Sequence, residues 1–168
     1  MNGYNQRQNN PERINSSANS LYVQNQTSGF EAKRQFRLYR EFSAATVIKL
    51  VFAKPFYLTS QVLYCDAGNA RAVISQGGTE GGSFTALTTK FGKYLLDGPV
   101  VGNTTATVGG TIAGSTEREV IRAASGAGVG IVNASQGVRA LAAGTYYISI
   151  GVTGTTSGVY SVEWEELP

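Results

Sequence analysis

From Phe36 to Trp164 the sequence is cut into short runs in which apolar and polar residues alternate, and glycine, asparagine, aspartate or proline closes most of them. Alternation with a period of two covers one face of a strand, whereas an amphipathic helix needs a period near 3.6. Thr46–Phe52 is the clearest case: Ile48, Leu50 and Phe52 share one face, and Val47, Lys49 and Val51 the other. Lys54-Pro55 ends this run, because proline cannot donate to a ladder. Phe56–Cys65 and Arg71–Gln76 follow as strands, joined through an Asp66-Ala67-Gly68-Asn69 turn. Gly77–Gly82 reads as a surface loop and Asp97-Gly98-Pro99 as a turn, with Val100–Gly114 extended between that turn and the next run. Within Phe84–Leu96 the apolar residues keep no clean period, and a short strand is expected near Lys93.

Two runs keep a competing reading. Gln35–Phe42 alternates, with Phe36, Leu38 and Phe42 on one face, but Arg40 interrupts that face. This suits an edge strand or a strand paired across an interface; a helix over Phe30–Phe42 is the alternative. Thr116–Ala124 has helical residues, yet its β-branched Val120 and Ile121 suit a strand equally. The last part reads as hairpins: Val138–Ala143 leads into Tyr146–Val152, and Gly154–Gly158 turns the chain into Val159–Trp164. At least seven short strands with Gly/Asn/Asp turns give an all-β fold, a β-sandwich or jelly-roll-like domain over residues 35–168. A chain of 168 residues with 21 glycines and only 15% charged residues agrees with one such domain.

Residues 1–34 are different in kind. Asn and Gln fill eight of the first twenty positions, and apolar residues are sparse. Alone, such a segment buries too little apolar surface to offset the entropy of ordering it. It is therefore expected to be an extended arm that lies on other protein. Residues 1–40 carry a formal balance of +4 and the remainder −1, so the basic excess is N-terminal. Six basic residues over forty, interleaved with Asn and Gln, are thinner than a typical nucleic-acid tail, so direct nucleic-acid binding is not expected. The anchors expected in the arm are Tyr4, Ile14, Leu21, Tyr22 and Val23 as apolar contacts and Arg7, Arg13 and Arg34 as charged ones. Some thirty extended residues reach roughly 100 Å, enough to clasp several subunits.

Catalytic chemistry finds few components. The chain has no histidine, which removes the commonest general base, the serine triad and imidazole metal ligands. Cys65 is the single cysteine, expected to be a buried structural thiol. Gly126, Gly128 and Gly130 miss the dinucleotide spacing, because Ile131 stands where the third glycine belongs. Gly77–Gly82 lacks the Lys-Ser/Thr of a phosphate loop. Glu163, Glu165 and Glu166 read as a solvated acidic end or a partner for a basic patch. Tyr146, Tyr147 and Tyr160 are expected to pack in the core or across strands. No enzyme, cofactor or metal is expected. The opening residues lack the apolar core of a secretory signal, and no run approaches a membrane span, so synthesis in the cytosol and no membrane association are expected.

Leu141-Ala-Ala-Gly-Thr-Tyr-Tyr-Ile148 resembles a late strand of viral and phage β-sandwiches. The block from Lys54 through Cys65-Asp-Ala-Gly68 to Gly77-Gly-Thr-Glu-Gly-Gly-Ser-Phe84 resembles small structural proteins of tailed bacteriophages. The resemblance implies a virion component: a capsid decoration (cement) protein, or a neck collar, tail or baseplate part. Its partners would then be the major capsid protein or portal, neck and tail subunits, along with further copies of itself. A glycan- or receptor-binding sandwich is the other reading, with exposed aromatics expected beside Gly77–Gly82 or Gly126–Gly130.

Overall fold

The structure is a computed structural model that describes residues 34–87, 90–92, 102–124, 130–133, 139–154 and 157–168. Every regular element among them is a strand: β1 (Gln35–Phe42), β2 (Thr46–Phe52), β3 (Phe56–Cys65), β4 (Asn69–Gln76), β5 (Thr79–Ala86), β6 (Lys90–Gly92), β7 (Thr104–Ala113), β8 (Thr116–Ala124), β9 (Gly130–Asn133), β10 (Arg139–Leu141), β11 (Gly144–Thr153) and β12 (Gly158–Glu166). One sheet runs β10-β3-β12-β1-β6, with β9 also on β3; the second runs β5-β7-β2-β11-β4-β8. All pairings are antiparallel. The all-β reading and the strand assignment of Gln35–Phe42 and Thr116–Ala124 hold, and the helical alternatives do not.

The pairings are nested. The first strand pairs with the last, β2 with β11, β3 with β9 and β10, and β4 with β8. Nested antiparallel pairs, wound so that successive strands cross between two sheets, make a jelly roll. β5, β6 and β7 are an insertion that widens both sheets at one side. Every described pairing joins strands that are not consecutive, so neither hairpin expected from the sequence forms. β10 pairs with β3 rather than β11, and β11 and β12 lie in opposite sheets. The cause is burial. Tyr146, Ile148 and Ile150 of β11 and Tyr160, Val162 and Trp164 of β12 are all core residues, and here they meet across the sandwich.

The edge-strand reading of β1 also fails, since β12 pairs along its whole length and β6 covers Phe36–Leu38 on the other side. Gly77–Gly82 is not a loop: only Gly77 and Gly78 turn the chain, and β5 starts at Thr79. The Asp97-Gly98-Pro99 turn, the region around Lys93 and nearly all of Gly126–Gly130 lie outside the described residues.

The core is aromatic at one end. Phe52 and Phe56 flank the Lys54-Pro55 corner with rings stacked at 3.5 Å, Tyr146 meets both edge-on, and Trp164 meets Phe52 edge-on at 5.7 Å. Phe36 lies against Trp164 at 5.8 Å. In β3 the inward residues are Phe56 and Leu58, then Gln61, Leu63 and Cys65. One extra residue near Thr59, a bulge against Glu163-Trp164, changes the parity of the strand. Gln61 therefore turns inward, where its Oε1 accepts from the Tyr160 hydroxyl at 2.7 Å. The packing expected of Tyr146, Tyr147 and Tyr160 is observed.

The inserted pair β5–β7 does not continue the sheet flat. Glu80 of β5 accepts from the Tyr147 hydroxyl of β11 at 2.5 Å and lies 2.6 Å from Lys49 Nζ of β2. In a flat sheet β5 and β11 would be about 14 Å apart, at about 4.8 Å per ladder. The end of the β5–β7 pair must curl over the outer face of its own sheet. Glycines permit the bend: the register shifts between Gly81 and Phe84, and Gly82, Gly109 and Gly110 all have positive φ. A Cβ on Gly110 would stand 2.5 Å from the Phe84 ring and 2.8 Å from Gly81 O.

Candidate functional site

Of the arm anchors read from the sequence, Tyr4, Arg7, Arg13, Ile14, Leu21, Tyr22 and Val23 lie outside the described residues. Arg34 is described and marks where the segment joins the domain. Its carbonyl accepts from Glu166 N at 2.9 Å, extending the β1–β12 ladder by one step. Its guanidinium Nη2 lies 3.7 Å from Glu165 Oε1, while Gln35 Nε2 reaches Glu165 Oε2 at 3.5 Å. Glu165 is buried, and that burial raises its pKa above the usual value; Gln35 and the Arg34 charge oppose the shift. Main chain and side chain thus tie the residues at the start of β1 to β12.

Glu166 strengthens the same end. Its Oε2 accepts from Asn103 N at 2.9 Å and Asn103 Nδ2 at 3.2 Å, and Oε1 accepts from Thr104 Oγ1 at 2.6 Å. Asn103 and Thr104 open β7 of the opposite sheet, so this carboxylate joins the two sheets. The solvated acidic end expected from the sequence is overturned: Glu165 and Glu166 are only 5% and 4% exposed. Glu163 is half-buried and pairs with Arg37 at 3.3 Å. The physical reason is long-range pairing: β12 is central in its sheet up to Glu166, so its acids meet β1, β3 and the start of β7 rather than water.

A groove of about 450 Å³ lies at the opposite end of the same three strands, lined by Glu41, Phe42, Ser43, Tyr64, Asp66, Ser157, Gly158 and Val159. The Tyr39 hydroxyl donates to Glu41 Oε1 at 2.5 Å. Ser157 Oγ donates to Asp66 Oδ2 at 2.5 Å, and Asp66 N donates to Ser157 O at 2.9 Å. Hydrogen bonds from Ser157 and Tyr64 hold the Asp66 carboxyl below its usual pKa, while the bond to Asp66 pushes the Tyr64 phenol up. The sequence carried no sign of this groove, because Glu41, Asp66 and Ser157 come from three separate strand ends.

The third polar cluster is the Lys49–Glu80–Tyr147 contact under the curled ribbon. Hydrogen bonds from Lys49 and Tyr147 lower the Glu80 pKa, and Tyr147 is pushed up to about 12, first by burial and then by Glu80. Phe84 packs on Tyr147 at 6.5 Å, with Lys49 Nζ 5.5 Å from the Phe84 ring centre. This cluster holds the ribbon down. It places Phe84, the aromatic residue beside Gly82, half-buried; among described large apolar residues only Tyr39 and Val120 are exposed. Cys65 is buried, as expected, with Sγ 4.0 Å from Gly68 O. No His/Cys/Asp/Glu group suited to a metal occurs among the described residues, and no helix among them is long and apolar enough to cross a membrane.

Comparisons with protein-family models, with curated proteins and with solved structures give no match to this chain.

Proposed function

We propose that the chain is a non-enzymatic structural subunit of a virion of the tailed-phage type, most simply a capsid decoration protein, which engages neighbouring subunits through residues 1–34. A collar, tail or baseplate position is the same reading at another place in the particle. The observation that carries it is the root of the arm. Arg34 is fixed by the Glu166 main chain and the buried Glu165 carboxylate, at an end of the sandwich stiffened by the Glu166–Thr104 bond. A long polar segment tethered at a fixed point presents its anchors to neighbours without loosening the domain, and repeated copies multiply weak contacts. Jelly rolls serve in virus shells and in lectins, so the fold alone leaves the function open; the sequence resemblance and the anchored root favour the shell or neck.

Deletion of residues 1–33 tests the reading. The shortened chain is expected to fold with unchanged circular dichroism and to lose co-sedimentation with particles. Unchanged particle binding by the shortened chain would refute it.

A further inference from the structure

On the outer face of the β10-β3-β12-β1-β6 sheet, strand register sets Tyr64 of β3, Val159 of β12 and Glu41 of β1 in one row. Two ladders part Tyr64 from Glu41, about 10 Å at about 4.8 Å each, and only the short side chain of Val159 stands between them. Beside it Gly158 has no side chain, and a Cβ there would collide with Tyr64 O and the Phe42 ring. Small residues on the central strand and long ones on its neighbours thus shape the groove of about 450 Å³. That volume falls among small-molecule sites, roughly 300–1,000 Å³. Its walls are set in advance. Asp66 is tied to Ser157 by side chain and main chain and takes the Tyr64 hydroxyl, while Tyr39 holds Glu41. A ligand therefore orders little on binding.

The Ser157 and Tyr64 protons are committed to Asp66, so the groove presents mainly acceptors, with the Ser43 hydroxyl able to donate as well. These acceptors stand on both walls: Glu41 on the β1 side, Asp66 and Ser157 on the β3 side. Between them lie the Tyr64 ring and Val159, an aromatic and an aliphatic surface. A guanidinium or ammonium gathers its donors at one point and reaches one wall. No group of His, Cys, Asp and Glu suited to a metal occurs among the described residues. A saccharide ring carries hydroxyl donors around its rim, reaching both walls at once, and its C–H face packs on an aromatic ring that keeps a polar end in water. We infer that the groove binds a neutral saccharide. The two carboxylates repel sialylated, uronic and sulfated sugars, which sets the specificity. This binding activity goes beyond the structural role proposed above and does not rest on residues 1–34. It also places the saccharide site away from Gly77–Gly82, where Phe84 packs on Tyr147.

A glycan array probed with the full chain tests the inference. It carries neutral oligosaccharides of bacterial-envelope and of glycoprotein type, beside their sialylated, uronic and sulfated counterparts. Binding is expected to neutral members and not to acidic ones, and the two types distinguish the source. The preferred sugar, free in solution, should shift the amide resonances of Ser43, Gly158 and Val159 more than those of β4, β5 and β8. Tyr64→Ala and Asp66→Asn should each weaken binding about tenfold or more, the scale for losing an aromatic contact or a charged hydrogen bond. Thermal unfolding is the control for folding. Glu41→Gln, at an exposed position, keeps the test open should either of those fail to fold, and should weaken binding severalfold. Absence of saccharide binding overturns the inference, as do shifts confined to another surface, a preference for acidic sugars, or normal binding by Glu41→Gln. An arginine peptide that occupies the groove where every saccharide fails would assign it to a cation and overturn the inference too. Deletion of residues 1–33 should leave saccharide binding unchanged, so the groove and the clasp fail separately.

Discussion

Glu166→Ala should be the most informative single substitution in the domain. The carboxylate makes three hydrogen bonds to Asn103 and Thr104, and both it and Thr104 are almost fully buried. Asn103 is exposed and can turn to water, so its bonds are replaced at little cost. The bond to Thr104 Oγ1 is buried, and its loss costs about 1–3 kcal/mol. Lost packing and the charge-assisted character of the bond bring the total to about 3 kcal/mol. For a domain of this size that corresponds to a fall of roughly 10 °C in Tm. Glu166→Gln should cost far less, about 1 kcal/mol, because the amide oxygen can accept from Asn103 while its NH2 donates to a rotated Thr104 hydroxyl. Urea and thermal unfolding followed by circular dichroism give the numbers. A Glu166→Ala variant within about 0.5 kcal/mol of wild type would refute the assignment of this carboxylate as the bond between the sheets.

Other consequences follow from the ribbon and the core. Gly110→Ala places a side chain at φ 57° and against Phe84, and should destabilise by about 2 kcal/mol or more; equal unfolding midpoints for the two chains would contradict the glycine bend. Glu80 has a lowered folded pKa, so its contribution is full above the usual carboxylate pKa of 4.5 and is lost as pH falls through the lower folded value. The protection of β5 amides from hydrogen exchange, relative to their intrinsic rate at each pH, should therefore fall on acidification, an effect that Glu80→Gln should remove. Spectrophotometric titration should find one tyrosine, absent in Tyr147→Phe, ionising near pH 12. Cys65, fully buried, should resist a thiol reagent in the native state and react promptly in urea; fast native labelling would place it at the surface.

Strand positions were legible because alternation records burial: Thr46–Phe52 and Phe56–Cys65 coincide with β2 and β3. Pairing was not, because alternation tells which face is buried but not which strand lies alongside. Tyr146–Val152 and Val159–Trp164 read equally well as one hairpin or as two layers of a sandwich. Only the nested partners, β2 with β11 and β1 with β12, decide between them. Gly77–Gly82 reads as a surface loop, whereas most of it is strand, with positive φ at Gly77, Gly78 and Gly82. Their use as a bend within a ladder depends on Gly109 and Gly110 in β7, distant in sequence. Glu165 and Glu166 misled because acids near a chain end are usually solvated, and the partners that bury Glu166 lie more than sixty residues away. The groove is similarly assembled from three strand ends, with no local motif to announce it.

The most direct test of the clasp is an electron cryomicroscopy reconstruction of the protein in its assembled state, with residues 1–33 traced. The expected result is that the segment leaves Arg34 and lies across a neighbouring subunit, with Tyr22 and Arg13 among its contacts. A segment folded entirely on its own domain, or touching no neighbour, would contradict the account.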